Sequence, residues 1–154
     1  MEFKFNDGGR AAAGYKGFTG DCATRAIAIA TNIPYQNVYN ALQAMNKLYA
    51  ENHHDRVAKS ILKGGGGSGT TPSNGVFKII SCEYLISLGW EWVPTMRIGQ
   101  GCRVHLKSNE LPSGRLIVQV SKHLVAVIDG VIHDTHDCSR GGTRCVYGYF
   151  QKKK

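Results

Sequence analysis

Two short segments carry residues that could do chemistry together. Residues 19–31 read TGDCATRAIAIAT, and residues 121–137 read SKHLVAVIDGVIHDTHD. Thr19, Gly20 and Asp21 are turn and N-cap residue types, and the run that follows is apolar except for Arg25. Cys22 therefore falls in the first turn of a helix. Unpaired backbone N–H groups and the positive end of the helix dipole meet there. That position favours thiolate over thiol, and the thiolate is the nucleophile. The same N–H groups can receive the negative oxygen of a tetrahedral intermediate. A cysteine that merely packs as a small apolar residue fits Cys22 taken alone, so the second segment decides the reading.

That segment predicts a β-hairpin. Residues 124–128 are β-branched and apolar, residues 131–135 continue the pattern, and Asp129-Gly130 between them is the pair that a two-residue type I′ turn requires. The turn fixes the register: Ile128 faces Val131, Val127 faces Ile132, Val125 faces Asp134 and His123 faces His136. Side chains alternate between the faces of a strand, so His123, Val125, Val127, Ile132, Asp134 and His136 share one face, and Leu124 and His133 take the other. Asp134 is the diagonal neighbour of His123. Of Asp129, Asp134 and Asp137, only Asp134 is placed to orient the imidazole so that its far nitrogen can take a thiol proton.

A GDC that opens a helix, then KHLVAV, then GVIHDT resembles the papain-like superfamily of cysteine peptidases. The nearest likeness is to the bacteriocin-leader-processing (double-glycine) peptidases. The resemblance implies Cys22 as nucleophile, His123 as base and Asp134 as third member. NlpC-type cell-wall peptidases are a second resemblance, and there His133 would be the third member; the register places it on the wrong face. Papain-like enzymes usually carry a glutamine oxyanion donor about six residues before the cysteine. Lys16 stands there, so Lys16, Thr19 and backbone N–H groups are the site-lining candidates, together with Asp21 and His136. The implied activity is hydrolysis of a peptide or protein substrate. An amidase or acyltransferase of transglutaminase-like type shares the triad order, and an inactive papain-like binding module acting through a basic surface is the rival from another class.

The elements that must position these groups follow from the rest of the chain. A glycine-rich lead-in covers residues 1–20. Helices are predicted over 22–31, 35–51 and 76–88, the second with Val38, Leu42, Met45 and Tyr49 on one stripe. Strands are predicted at 90–94, 115–120, 122–128, 131–135 and 144–151. Residues 63–75, KGGGGSGTTPSNG, read as a flexible connector. Helices followed by strands indicate one α+β domain, with N-terminal helices packed on a C-terminal antiparallel sheet.

At 154 residues with 42% hydrophobic content, the chain suits one domain with a real core. The net charge of +8 points to an acidic partner, and the Lys152–Lys154 tail, expected to be disordered, supplies three of those charges. Aromatic and basic residues do not interleave as in RNA-binding motifs, so specific nucleic-acid binding is not expected. No stretch is apolar enough to span a membrane, and the polar N-terminus does not read as a signal peptide. Five cysteines without a C-x-x-C read as free thiols in a cytoplasmic protein. No cofactor is called for. No metal is expected either: His133, His136, Asp137 and Cys138 crowd together, with His53 and His54 elsewhere, but no zinc spacing is met.

Overall fold

The computed structural model describes residues 1–16, 20–63, 71–73 and 75–154. The elements run β1 (Glu2–Phe5), α1 (Cys22–Thr31), α2 (Tyr35–Asn52), α3 (Arg56–Lys63), α4 (Lys78–Ser87), β2 (Trp90–Pro94), β3 (Arg115–Val120), β4 (His123–Ile128), β5 (Val131–Asp134) and β6 (Gly148–Lys152). The class is α+β: four helices and one six-stranded sheet in the order β1-β5-β4-β3-β6-β2.

The sheet is mixed, not wholly antiparallel. β1, from the segment read as a glycine-rich lead-in, pairs parallel with β5, Phe5 beside Asp134. Its alternation of charged residues with Phe3 and Phe5 is a strand signal too short to stand out in a sequence. The remaining pairings are antiparallel.

Helix α1 is built for close approach. Residues 23–30 are all buried, and four of them are alanine, which lets the backbone lie against the sheet. Its last residue is followed by Asn32 in the left-handed region at φ 62°, a conformation that asparagine tolerates. Arg115 Nη1, from β3, donates to the carbonyls of Ile29 and Ala30, satisfying two C-terminal acceptors. α1, α2 and α4 share a core with Ile117, Leu124, Ala126 and Phe150 of the sheet. A second core covers the opposite face, where Leu116, Val118, Val120, Val125, Val127 and Ile132 pack under Leu106, Leu111 and Val146. Both faces of the central strands are thus buried.

Three expectations are corrected here. Cys102 and Cys145 form a disulfide, so the reading of five free thiols holds only for Cys22, Cys82 and Cys138. The two cysteines are separated by 43 residues, and only the folding of residues 95–105 back toward β6 brings them together. The Lys152–Lys154 tail is not free at its start: Lys152 closes β6, and the Lys153 N–H donates to the Gly89 carbonyl at 2.8 Å. The expected flexible connector begins inside a helix, because Lys63 ends α3, an amphipathic helix that the sequence reading did not identify. Most of the rest of that connector, including GGGGS, lies outside the described residues. No helix among the described residues is long and apolar enough to cross a membrane.

Candidate active site

The Asp129-Gly130 turn is a two-residue turn with both residues at positive φ, 48° and 78°. The register is the one that such a turn dictates: Ile128 pairs with Val131, Val127 with Ile132 and Ala126 with His133. His123 opens β4 and Asp134 closes β5, on the diagonal. His123 Nε2 lies 2.6 Å from Asp134 Oδ2. The other oxygen, Oδ1, accepts from the Thr135 N–H at 2.7 Å and from Arg25 Nη2 at 3.2 Å. Asp134 is 3% exposed, and all of its charge is answered by donors.

α1 brings Cys22 to the same place. Its thiol lines the same cavity as His123 and Leu124 and lies within electrostatic reach of the His123 ring and the Leu124 backbone N–H. With Nε2 held by Asp134, Nδ1 is the ring nitrogen left for sulfur. The surroundings favour the thiolate form of Cys22 and the imidazolium form of His123. Burial would push the Cys22 thiol up, but the hydrogen bond and charge of His123, the Leu124 N–H and Arg25 together hold it below its ordinary 9.0. Burial would lower His123, yet bonds to Asp134, Cys138 and Cys22 push it up to about 11. Burial would raise Asp134, and His123, the Thr135 N–H and Arg25 outweigh it, so its carboxyl lies below 3.8.

The other sequence candidates divide. Asp21 occupies the N-cap position of α1 but makes no capping bond; it is 1% exposed and turned to Arg10, Arg25 and Tyr35. Asp21 therefore does not cap the first N–H groups of the helix beside Cys22. His136 lies with its ring 5.2 Å from that of His123 and is exposed. Lys16 is exposed, its carbonyl accepts from Arg10 Nη2 at 3.0 Å, and it is not among the described residues that line the cavity. Thr19 lies outside the described residues. His133 sits opposite Ala126 with Nδ1 buried and without a partner among the described residues, and burial, then Lys4 and Arg115, lower its pKa.

A cavity of about 1020 Å³ opens onto the thiol. Its apolar walls include Phe5, Val76, Phe77 and Leu124, and Lys78 and Lys122 also line it. Three site residues escaped the sequence reading. Gln119 lines the cavity but spends both amide hydrogens on the carbonyls of Val120 and His123, at 2.7 and 3.1 Å. It pins the strand end that carries His123 and does not replace the missing oxyanion glutamine. Cys138, buried, sits beside His123 in a loop that no pattern marks and helps to raise its pKa. Arg25 had a signal: it is the one charge in an apolar helix, four residues after an aspartate.

The crowded group His133, His136, Asp137 and Cys138 does not act as a unit. His133 lies on the opposite strand face, and Asp137 Oδ1 accepts from the N–H and hydroxyl of Ser139. His123, Asp134 and His136 do bring one potential ligand atom each within 4.8 Å of one another, and His123 and Asp134 are the two already joined by the 2.6 Å hydrogen bond. Comparison of the chain with protein-family models, with curated proteins and with solved structures returns no match.

Proposed function

We propose that the protein is a papain-like cysteine hydrolase, most simply a peptidase, using Cys22, His123 and Asp134 on a peptide or protein substrate. The observation that carries this reading is the convergence, at one cavity, of a helix-opening thiol and a carboxylate-held imidazole from elements far apart in the chain. In the reaction, Cys22 Sγ attacks the acyl carbon, and the carbonyl electrons move to oxygen beside the first N–H groups of α1. As the tetrahedral species collapses, the His123 imidazolium gives its proton to the leaving amine, and an acyl thioester remains. Water then attacks, His123 takes its proton, and departure of the thiolate releases the acid and restores the ion pair. Asp134 stays ionised and holds the ring.

The likeness to leader-processing peptidases belongs to this proposal, whereas the Cys102–Cys145 disulfide removes the free-thiol ground for expecting a cytoplasmic setting. The basic balance of the chain, +8, supports an acidic partner or substrate. An amidase or a transglutaminase-like acyltransferase would use the same groups and differ in the acceptor, an amine in place of water.

The test is an electrophilic thiol probe on the native protein near neutral pH. Cys22 is expected to label well ahead of Cys82, whose thiol burial pushes up. Cys22→Ala should abolish that labelling and any acyl hydrolysis, with the fold retained. Product analysis with and without an added amine separates hydrolase from acyltransferase. Labelling of Cys22 no faster than Cys82 would sink the proposal and favour a binding module that acts through its basic surface.

A further inference from the structure

Arg25 is 7% exposed, and its two terminal nitrogens point to different carboxylates. Nη1 donates to Asp21 Oδ1, one turn back on the same helix, and Nη2 donates to Asp134 Oδ1 on β5 at 3.2 Å. Asp21 in turn accepts the Tyr35 hydroxyl at 2.6 Å and pairs with Arg10 Nε at 3.4 Å. The N-terminal loop seals this network. Gly8, at φ +71°, lies so close to the α1 backbone that an added Cβ would sit 3.2 Å from the Arg25 carbonyl oxygen.

Followed outward, the charges alternate: Arg10 positive, Asp21 negative, Arg25 positive, Asp134 negative, then the His123–Cys22 pair. The five charged side chains from Arg10 to His123 are between 1% and 14% exposed. A buried charge is tolerated where opposite charges and hydrogen bonds surround it. Arg25 also joins the helix of the thiol to the strand of the acid.

We infer that Arg25 is the positioning residue of this site, a brace that fixes Asp134 Oδ2 on His123 while holding the Cys22 helix against β5. The inference rests on the thiol-hydrolase reading and deepens it. Arg25 holds Oδ1, so the carboxylate cannot turn away from the ring. A lysine at this position keeps the positive charge but is a single point, and it cannot bridge two carboxylates as a guanidinium does. Charge and geometry can therefore be separated by substitution.

Two readouts on the full-length protein test it: the pH midpoint of Cys22 alkylation by iodoacetamide, and the downfield NMR resonance of the His123 Nε2 proton shared with Asp134. Arg25→Lys should keep the midpoint near wild type and broaden or remove the resonance. Arg25→Gln should lose the resonance and raise the midpoint by about one pH unit, because a positive charge near the thiolate is gone. Tyr35→Phe removes a different partner of Asp21 and should move neither. A folded Arg25→Lys protein with the wild-type resonance overturns the brace, as does a folded Arg25→Gln protein with both readouts unchanged. Should both Arg25 variants unfold, Asp21→Asn loosens the same brace with Arg25 retained, and an unchanged resonance there overturns the inference. Failure of the wild type itself to show a lowered midpoint would instead remove the thiol-hydrolase reading.

Discussion

Asp134→Asn is the substitution whose outcome the geometry dictates most closely. An amide at this position has one acceptor and one donor end, and its neighbours choose the orientation. The Thr135 N–H and Arg25 Nη2 both donate to the Oδ1 position, at 2.7 and 3.2 Å, so the amide oxygen must take that place. The NH2 group then falls where Oδ2 was, 2.6 Å from His123 Nε2, and donates to it. Nε2 becomes an acceptor, and the neutral ring must carry its hydrogen on Nδ1, facing the thiol. That tautomer cannot accept the Cys22 proton. The imidazolium also loses the carboxylate that helped raise it, so His123 should titrate well below about 11 and closer to 6.5. Without a stable imidazolium beside it, the Cys22 thiol moves up toward 9.0. At pH 7 a thiol of that value is ionised in about one molecule in a hundred, which sets an upper bound of about 100-fold on the slowing of alkylation, and the higher intrinsic nucleophilicity of a more basic thiolate returns part of it. The assay is the rate of Cys22 alkylation against pH, with thermal denaturation confirming the fold. Turnover should fall less than in His123→Ala, which removes the base itself. A midpoint identical to wild type in folded Asp134→Asn would refute the reasoning.

Other outcomes follow from single observations. The lowered carboxyl of Asp134 adds stability that is present above 3.8 and lost as pH falls through its folded value, so acid denaturation should begin later in Asp134→Asn than in wild type when each is compared with its own neutral-pH stability. Reduction of Cys102–Cys145, which spans 43 residues, should cost about 4 kcal/mol by loop-closure entropy, read as a drop in denaturant midpoint; thiol counting under denaturing conditions should give three groups before reduction and five after, and five before would disprove the bond. Gly148→Ala drives a Cβ into the Trp92 ring and to 2.8 Å from the Val93 carbonyl, so a loss of about 3 kcal/mol is expected in chemical denaturation, and a neutral result would contradict the β2–β6 register. Asn46 buries both polar side-chain atoms without a partner among the described residues, so Asn46→Leu should raise stability by about 1 kcal/mol or more, and a lower melting temperature would show that the amide is satisfied.

The sequence by itself determined what local rules govern. An Asp-Gly pair between two apolar runs admits one turn, that turn admits one register, and the register alone sets Asp134 beside His123 and sends His133 to the far face. Cys22 at the head of α1 was legible for the same reason, since turn residues followed by an alanine-rich run leave little choice of helix start. The decisions left to tertiary structure were those that need two distant segments at once. β1 joins β5 because the sheet leaves an edge beside Asp134, and nothing within four residues announces that. Cys102 finds Cys145 through the path of a loop, so spacing could not pair them. Asp21 gives up its capping role because Arg10, Arg25 and Tyr35 reach it in a site too dry for an unpaired carboxylate. Arg25 was visible as a lone charge in an apolar helix, but its partner on β5 lies 109 residues away. Short-range geometry is written in neighbouring residues, whereas the pairing of buried charges is settled only when the folded chain excludes the water that would otherwise answer them.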